Sequence, residues 1–251
     1  MLALTLPLLL AAWPFDSHSL REPELPILPV RKVRVAVDAG HGFGDNIGNV
    51  GCRCQREMDH TLLVSLYLAD ALEKTGRFEV LRTRVGEDLP RYQSRIAQLE
   101  KWKADVVISL HSDARGLAAP VTQKDGSVCW ANAEEPGFSV LWNDEGPAFH
   151  TRERLGRAVG TRLRDAGFMA YSGINYGDLY WQDVLEPSGW IDKRPLKKRV
   201  YFLRASRTPT VIIETHHALD PDEVARWDEP RTLEVFSAAV AASILDFMQT
   251  K

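Results

Sequence analysis

Short runs of β-branched and apolar residues alternate along this chain with stretches of helical spacing, and that alternation restricts the fold more than any other feature. The strand-like runs cover residues 33–37, 78–82, 105–110, 199–203 and 210–213. Between them, Met58, Leu62, Leu63, Leu66, Ala69 and Leu72 form one helical stripe that stops at Gly76. Leu89, Tyr92, Ile96, Leu99 and Trp102 form a second, and Leu155, Val159 and Leu163 form a third that ends at Gly167. Leu233, Phe236, Val240, Ile244 and Phe247 mark a terminal helix. The pattern predicts an α/β fold in one domain, a mainly parallel twisted sheet of about six strands covered by helices on both faces. At 251 residues the chain is long enough to bury a proper core in that form.

Two segments break the rhythm. Residues 114–153 are rich in Gly, Pro, Asn and acidic side chains, with short strands expected at 127–131 and 138–142. Residues 168–198 hold Tyr171, Tyr176, Tyr180, Trp181 and Trp190. Aromatic content argues against disorder, and irregular segments of this length in a compact domain tend to be functional, so the second segment is expected to form a lid or a groove wall. The basic run 192–199 within and after it is read as a solvated loop. At the other end, MLALTLPLLLAAW has the length of a signal-peptide core and falls short of the ~20 residues of a membrane span. Residues 1–31 are therefore expected to be an export signal plus a Pro-rich linker, and 32–251 the folded domain. No transmembrane helix is expected. Net charge of −3 gives no basic excess for nucleic acid, which is not expected as a partner. Cys52 and Cys54 are poorly placed to bridge each other; free or buried thiols are the expectation, with a bridge from either to Cys129 as the alternative.

Ligands in parallel α/β sheets gather beyond the carboxyl ends of the strands. In this chain those ends are unusually rich in chemistry. The first strand runs into Asp38-Ala-Gly-His41, the third into His111-Ser-Asp113, and the last into Glu214-Thr-His216-His217. Glu57 opens the first helix and faces the same rim. Taken singly, each has an ordinary explanation: a turn histidine, a capping histidine, a first-turn carboxylate favoured by the helix dipole. Glu214 is the exception, because a carboxylate that ends a run as apolar as PTVII is costly to bury without a partner. Taken together, two neutral imidazoles and a carboxylate suit Zn²⁺ with a position left open for water, and a second carboxylate beside them supplies a general base.

The pieces VAVDAGHG, REMDHTLLVSLYLADALEKTG, FEVLRTR, QSRIAQLEKWKADVVISLHSDA, VYFLR and TPTVIIET occur in an order and with a character that resembles the catalytic domain of zinc-dependent N-acetylmuramoyl-L-alanine amidases. The resemblance covers roughly residues 33–248, with a poorly matching middle. It implies that His41, Glu57 and His111 bind one Zn²⁺ per chain and that Glu214 is the catalytic carboxylate. Asp38 becomes a partner behind the ligands. The implied reaction is Glu-assisted attack of water on the amide between N-acetylmuramic acid and L-alanine, in peptidoglycan or muropeptides. It further implies an enzyme of the periplasm or cell envelope, with an activator or targeting protein as an additional partner. After the glutamate the family has a Gly-Phe-(Leu/Ile)-(Ser/Thr)-Asn-like stretch, whereas this chain has Thr215-His216-His217-Ala218-Leu219-Asp220. His216 and His217 are read mainly as packing residues, with substrate contact or metal ligation as further roles. His18, His60 and His150 are read as ordinary surface or packing histidines. Two other functions remain on the table: another zinc amidohydrolase of carboxypeptidase type, and a non-catalytic peptidoglycan-binding module.

Overall fold

A computed structural model describes residues 17–27, 31–86, 88–146 and 148–249. The apolar run expected to be an export signal lies outside the described residues. The elements in chain order are β1 (Val33–Ala39), α1 (Glu57–Lys74), β2 (Phe78–Arg82), α2 (Tyr92–Trp102), β3 (Val106–Asp113), β4 (Ala119–Thr122), β5 (Val128–Ala131), β6 (Ser139–Asn143), α3 (Phe149–Asp165), β7 (Trp181–Gln182), β8 (Gly189–Asp192), α4 (Tyr201–Ala205), β9 (Thr210–His217), α5 (Pro221–Trp227) and α6 (Pro230–Gln249).

Seven strands form one sheet in the order β2-β1-β3-β9-β6-β8-β7, and β4 and β5 form a separate hairpin. β2, β1, β3 and β9 are mutually parallel. β6 runs antiparallel to β9 and parallel to β8, and β7 closes the edge antiparallel to β8. The sheet is thus larger than the six strands expected and mixed at one side. The two-residue period of a strand sorts its core. Val33, Val35, Val37, Val106, Ile108, Leu110, Val211 and Ile213 face α1, α3 and α6, while Ala36 and Val107 face Ile96, Leu99 and Phe202 of α2 and α4. Each fully buried Val, Ile or Leu contributes about 1.5–3 kcal/mol. α6 is, among the described residues, long and apolar enough to cross a membrane, but most of that surface is spent inside this core. Of the Pro-rich stretch, residues 17–27 run along the domain: Leu20 enters the core, and the Pro26 carbonyl accepts a hydrogen bond from Arg77.

Three expectations change in detail. The run at 199–203 is not a strand: a 3₁₀ turn (Leu196–Lys198) precedes it and α4 begins at Tyr201. Within α4 the adjacent Phe202 and Leu203 enter two different clusters, one with α2 and one with Tyr176 and Trp190. The buried face of α1 is rotated from the predicted stripe and consists of Glu57, Thr61, Val64, Ser65, Leu68, Ala69 and Leu72, with Leu63 exposed. Thr61 bonds the Gly40 carbonyl and Ser65 the Leu62 carbonyl of its own helix, roles that apolar periodicity does not report. The cysteines are not all free: Cys54 is bonded to Cys129, and Cys52 is a buried thiol. Folding of the β4–β5 hairpin brings the two Cα atoms to 5.3 Å, within bridging range.

The bridge closes a loop with a sequence separation of 75 residues and fastens the segment before Glu57 to that hairpin. In the chain-entropy picture such a link stabilises by roughly 2–4 kcal/mol. Cys129→Ser is expected to lose about that much in urea unfolding. A loss below ~0.5 kcal/mol, within the error expected of such a measurement, would show the link to be idle.

Candidate active site

The Gly40-His41-Gly42 turn is shaped by contacts on both sides. A Cβ on Gly40 would lie 2.4 Å from the His111 ring, and one on Gly42 would lie 2.7 Å from the Arg84 guanidinium carbon. His41 itself is left-handed, with φ of 62°, a conformation disfavoured for a side-chain-bearing residue. The surrounding structure holds it there. Its N–H donates to the Tyr92 hydroxyl at 3.0 Å, and its carbonyl accepts from Arg95. The Gly40 carbonyl accepts from Thr61 at 2.8 Å and from Arg84 at 3.2 Å. Arg95 also donates to the Ala39 carbonyl and pairs with Asp38 at 3.1 Å, with both side chains fully buried. Asp38 accepts further bonds from Thr83 and Ser109. Asp38 therefore does not touch His41; it acts on the loop through Arg95.

His111 and Glu214 are direct neighbours in the β3–β9 register, and an irregularity follows between His111 and Asp113. Glu57, at the first position of α1, reaches both histidines. Its Oε1 lies 3.0 Å from His41 Nε2 and 3.1 Å from His111 Nδ1, and those two nitrogens are 3.0 Å apart. Asn49 anchors the other oxygen of Glu57 with its backbone and side-chain nitrogens, at 2.9 and 3.0 Å, while Ser112 N–H donates to Oε1. His41 Nδ1 donates to Asn46 Oδ1 at 2.7 Å, which leaves the Nε2 lone pair facing Glu57. The three ligating atoms thus present lone pairs to one point. Their spacing is close to the ~3.3 Å edge of a tetrahedron built on metal–ligand bonds of ~2.0–2.1 Å. This donor set fits a zinc ion.

Around it lies a cavity of about 350 Å³, lined by the three ligand candidates, Glu214, Asp113, Tyr180 and a mixed wall that includes Leu141, Val200 and Ile212. Glu214 Oε2 is buried without a hydrogen-bond partner. Burial first, then the Asp113 and Glu57 carboxylates, push the Glu214 carboxyl well above its ordinary range. Burial also opposes charge on Glu57, but the His111 and His41 bonds outweigh it and hold that carboxyl below its usual range. For His41, burial works against protonation, and Glu57 with Asn46 reverses the balance and raises it.

His41, Glu57, His111 and Glu214 are therefore brought together, whereas His216 and His217 are not among the lining residues. His216 is buried against Trp227 and His60, with ring centroids 5.7 and 4.6 Å away. Thr215 Oγ1 lies 3.0 Å from His60 Nε2 and from His216 Nδ1, and donates to the His111 carbonyl. Burial holds both rings below the usual histidine range. His217 is fully buried, with its backbone N–H on Glu223. Sequence reasoning missed Asn46, Asn49, Arg84, Arg95 and Tyr180. The two asparagines stand between His41 and Glu57 in a Gly- and Asn-rich loop, a signal that was available. Arg95 occupies a core-facing position of α2 that its charge disguises. The 168–198 segment forms a groove wall, as Tyr180 shows, and contributes β7 and β8 to the sheet.

A sheet that presents imidazoles and carboxylates near separate strand ends to one open cavity has the layout of an enzyme's catalytic domain built on an α/β fold. The family model described as N-acetylmuramoyl-L-alanine amidase matches residues 35–246, and the chain belongs to that family. It is 36% identical over 84 residues to N-acetylmuramoyl-L-alanine amidase AmiC of Escherichia coli O6:H1, a match spanning 34% of this chain and 20% of that protein. It is 21% identical over 222 residues to a putative N-acetylmuramoyl-L-alanine amidase of Buchnera aphidicola, covering 84% of this chain and 94% of that one. Among solved structures, the amidase Ami1 of Mycobacterium smegmatis superposes with a TM-score of 0.67 at 16% identity, covering 88% of this chain and 99% of that one. That likeness establishes the fold.

Proposed function

We propose that this chain hydrolyses the amide between the lactyl group of N-acetylmuramic acid and L-alanine, in peptidoglycan of the cell envelope. His41, Glu57 and His111 hold a zinc ion in this reading, and Glu214 is the general base. The carrying observation is the convergence of three ligand atoms, all within 4.8 Å of one another, in a cavity that also receives an unpartnered Glu214 oxygen. When bound, zinc supplies a Lewis acid for the amide carbonyl and lowers the pKa of water towards ~7. Burial raises the Glu214 carboxyl, and the positive charge of a bound cation would shift it back towards a base. Glu214 takes the proton of the attacking water and returns it to the departing alanine nitrogen. Asn46 fixes the His41 tautomer, and Asn49 fixes Glu57, so neither ligand reorganises during turnover.

The test combines products with metal content. Purified protein incubated with muropeptides is expected to release a new L-alanine amine and a free lactyl carboxylate, with one zinc per chain. His41→Ala and His111→Ala are each expected to weaken zinc binding by at least ~100-fold, the upper end of the loss typical for a partner behind the ligands. A shortened stem peptide would instead support the carboxypeptidase-like alternative. A folded wild type that cannot be loaded with zinc would remove the amidase reading.

A further inference from the structure

Tyr180 enters the cavity from the aromatic segment between α3 and β8, on the wall that also holds Leu141, Val200 and Ile212. Its ring is fixed edge-on against Tyr176, with centroids 4.9 Å apart, and the Arg194 guanidinium lies 5.0 Å from its own centroid. Arg194 is held in turn by both oxygens of the buried Asp192, at 2.8 and 2.9 Å, and Asp192 also accepts the Val200 N–H. The phenol oxygen accepts from Arg194 Nη2 at 3.4 Å. A guanidinium has no acceptor, so the Tyr180 proton must point elsewhere.

Among the other polar side chains of the cavity, Ser112 accepts a 3.4 Å bond from Asn49 and keeps a hydroxyl proton, and the rest are committed or of the wrong kind. Asn49 spends its amide on Glu57 and Ser112, and His41 spends Nδ1 on Asn46. His111 turns its Nε2 edge to Gly40. Glu57, Asp113 and Glu214 supply carboxyl oxygens. Amide hydrolysis places growing negative charge on the carbonyl oxygen, and donors held in advance for that charge are a large source of rate.

Resting on the amidase reading above, we infer that the Tyr180 hydroxyl donates a hydrogen bond to the carbonyl oxygen of the scissile amide and strengthens it as the carbon becomes tetrahedral. No proton is transferred; Tyr180 remains a phenol throughout. Burial holds the phenol above its ordinary range against the opposing Arg194 charge, with Glu214, Asp192 and Asp113 adding to the rise, and it stays a donor. The polarising contact from Arg194 makes the O–H a better donor than an isolated phenol.

Tyr180→Phe keeps the ring and removes only the hydroxyl. In zinc-loaded full-length protein, kcat is expected to fall about 100-fold with KM within about threefold, the size and pattern of losing one transition-state donor. Zinc content and circular dichroism should match wild type. Calorimetry supplies a readout independent of turnover. A phosphinic analogue of N-acetylmuramoyl-L-alanine, with tetrahedral phosphorus in place of the amide carbon, should bind the variant about 100-fold more weakly than wild type. Intact N-acetylmuramoyl-L-alanine should bind the Glu214→Gln and Glu214→Gln/Tyr180→Phe proteins within about threefold of each other, because a donor that acts mainly at the transition state barely changes ground-state binding. Equal phosphinate affinity in the two proteins, or no phosphinate binding by wild type, overturns the role of Tyr180. Absence of muropeptide cleavage by wild type overturns the amidase reading instead, and the phosphinate comparison still decides Tyr180.

Discussion

Glu214→Gln is expected to lower kcat for muramoyl–alanine cleavage by about a thousandfold, or about 4 kcal/mol of transition-state stabilisation, while zinc stays at one per chain. The substitution is nearly isosteric, and Glu214 is not one of the three converging ligand candidates. Its backbone position is fixed by pairing with His111 in β3 and with Ser139 in β6. What the amide cannot do is accept the water proton and pass it to the leaving nitrogen. Paired measurements of muropeptide products and zinc content check the prediction. A variant that retains more than a tenth of the activity would mean that another group, with the lining carboxylate of Asp113 as the candidate, carries the proton.

Arg95→Met is expected to destabilise the fold by about 3–5 kcal/mol and to weaken zinc binding with it. Arg95 is fully buried and joins the Asp38 carboxylate to the carbonyls of Ala39 and His41. Removing it strands a buried carboxylate whose remaining partners, Thr83 and Ser109, are neutral hydroxyls. It also frees the His41 carbonyl, and with it the left-handed turn that aims the imidazole. The double variant Asp38→Asn/Arg95→Met should recover part of the loss, since replacing both members of a buried pair costs far less than orphaning one. Denaturant titration and competitive chelation measure the two effects. A single-variant loss below ~1 kcal/mol would show that the pair is dispensable.

The parallel half of the sheet was legible because β1, β2, β3 and β9 are short apolar runs with clear ends, and the candidate ligands stand immediately beyond those ends. Sequence order placed His41, His111 and Glu214 at one rim before any geometry was known. What stayed hidden depends on partners distant in the chain. Arg95 reads as a surface charge until Asp38 is seen beneath it, and Thr61 and Ser65 on the buried face of α1 carry no apolar signal. The 199–203 run has strand composition, and neighbours on opposite faces are compatible with strand or helix, so its apolar pattern does not reveal that Phe202 and Leu203 sit in α4. The Cys54–Cys129 link depends on a hairpin that folds back from a segment without periodicity.

The cavity draws its reactive groups from one side of the sheet and its wall from the other. His41 follows β1, and His111 and Glu214 lie in the C-terminal parts of β3 and β9, while Leu141 lies on β6 and Tyr180 and Val200 lie outside β7 and β8 in sequence. β6 meets this parallel half only along β9, through the three register pairs from Ser139 to Leu141. The ligand candidates and most of the facing wall are therefore carried by different parts of the sheet, and the β6–β9 seam sets the distance between them.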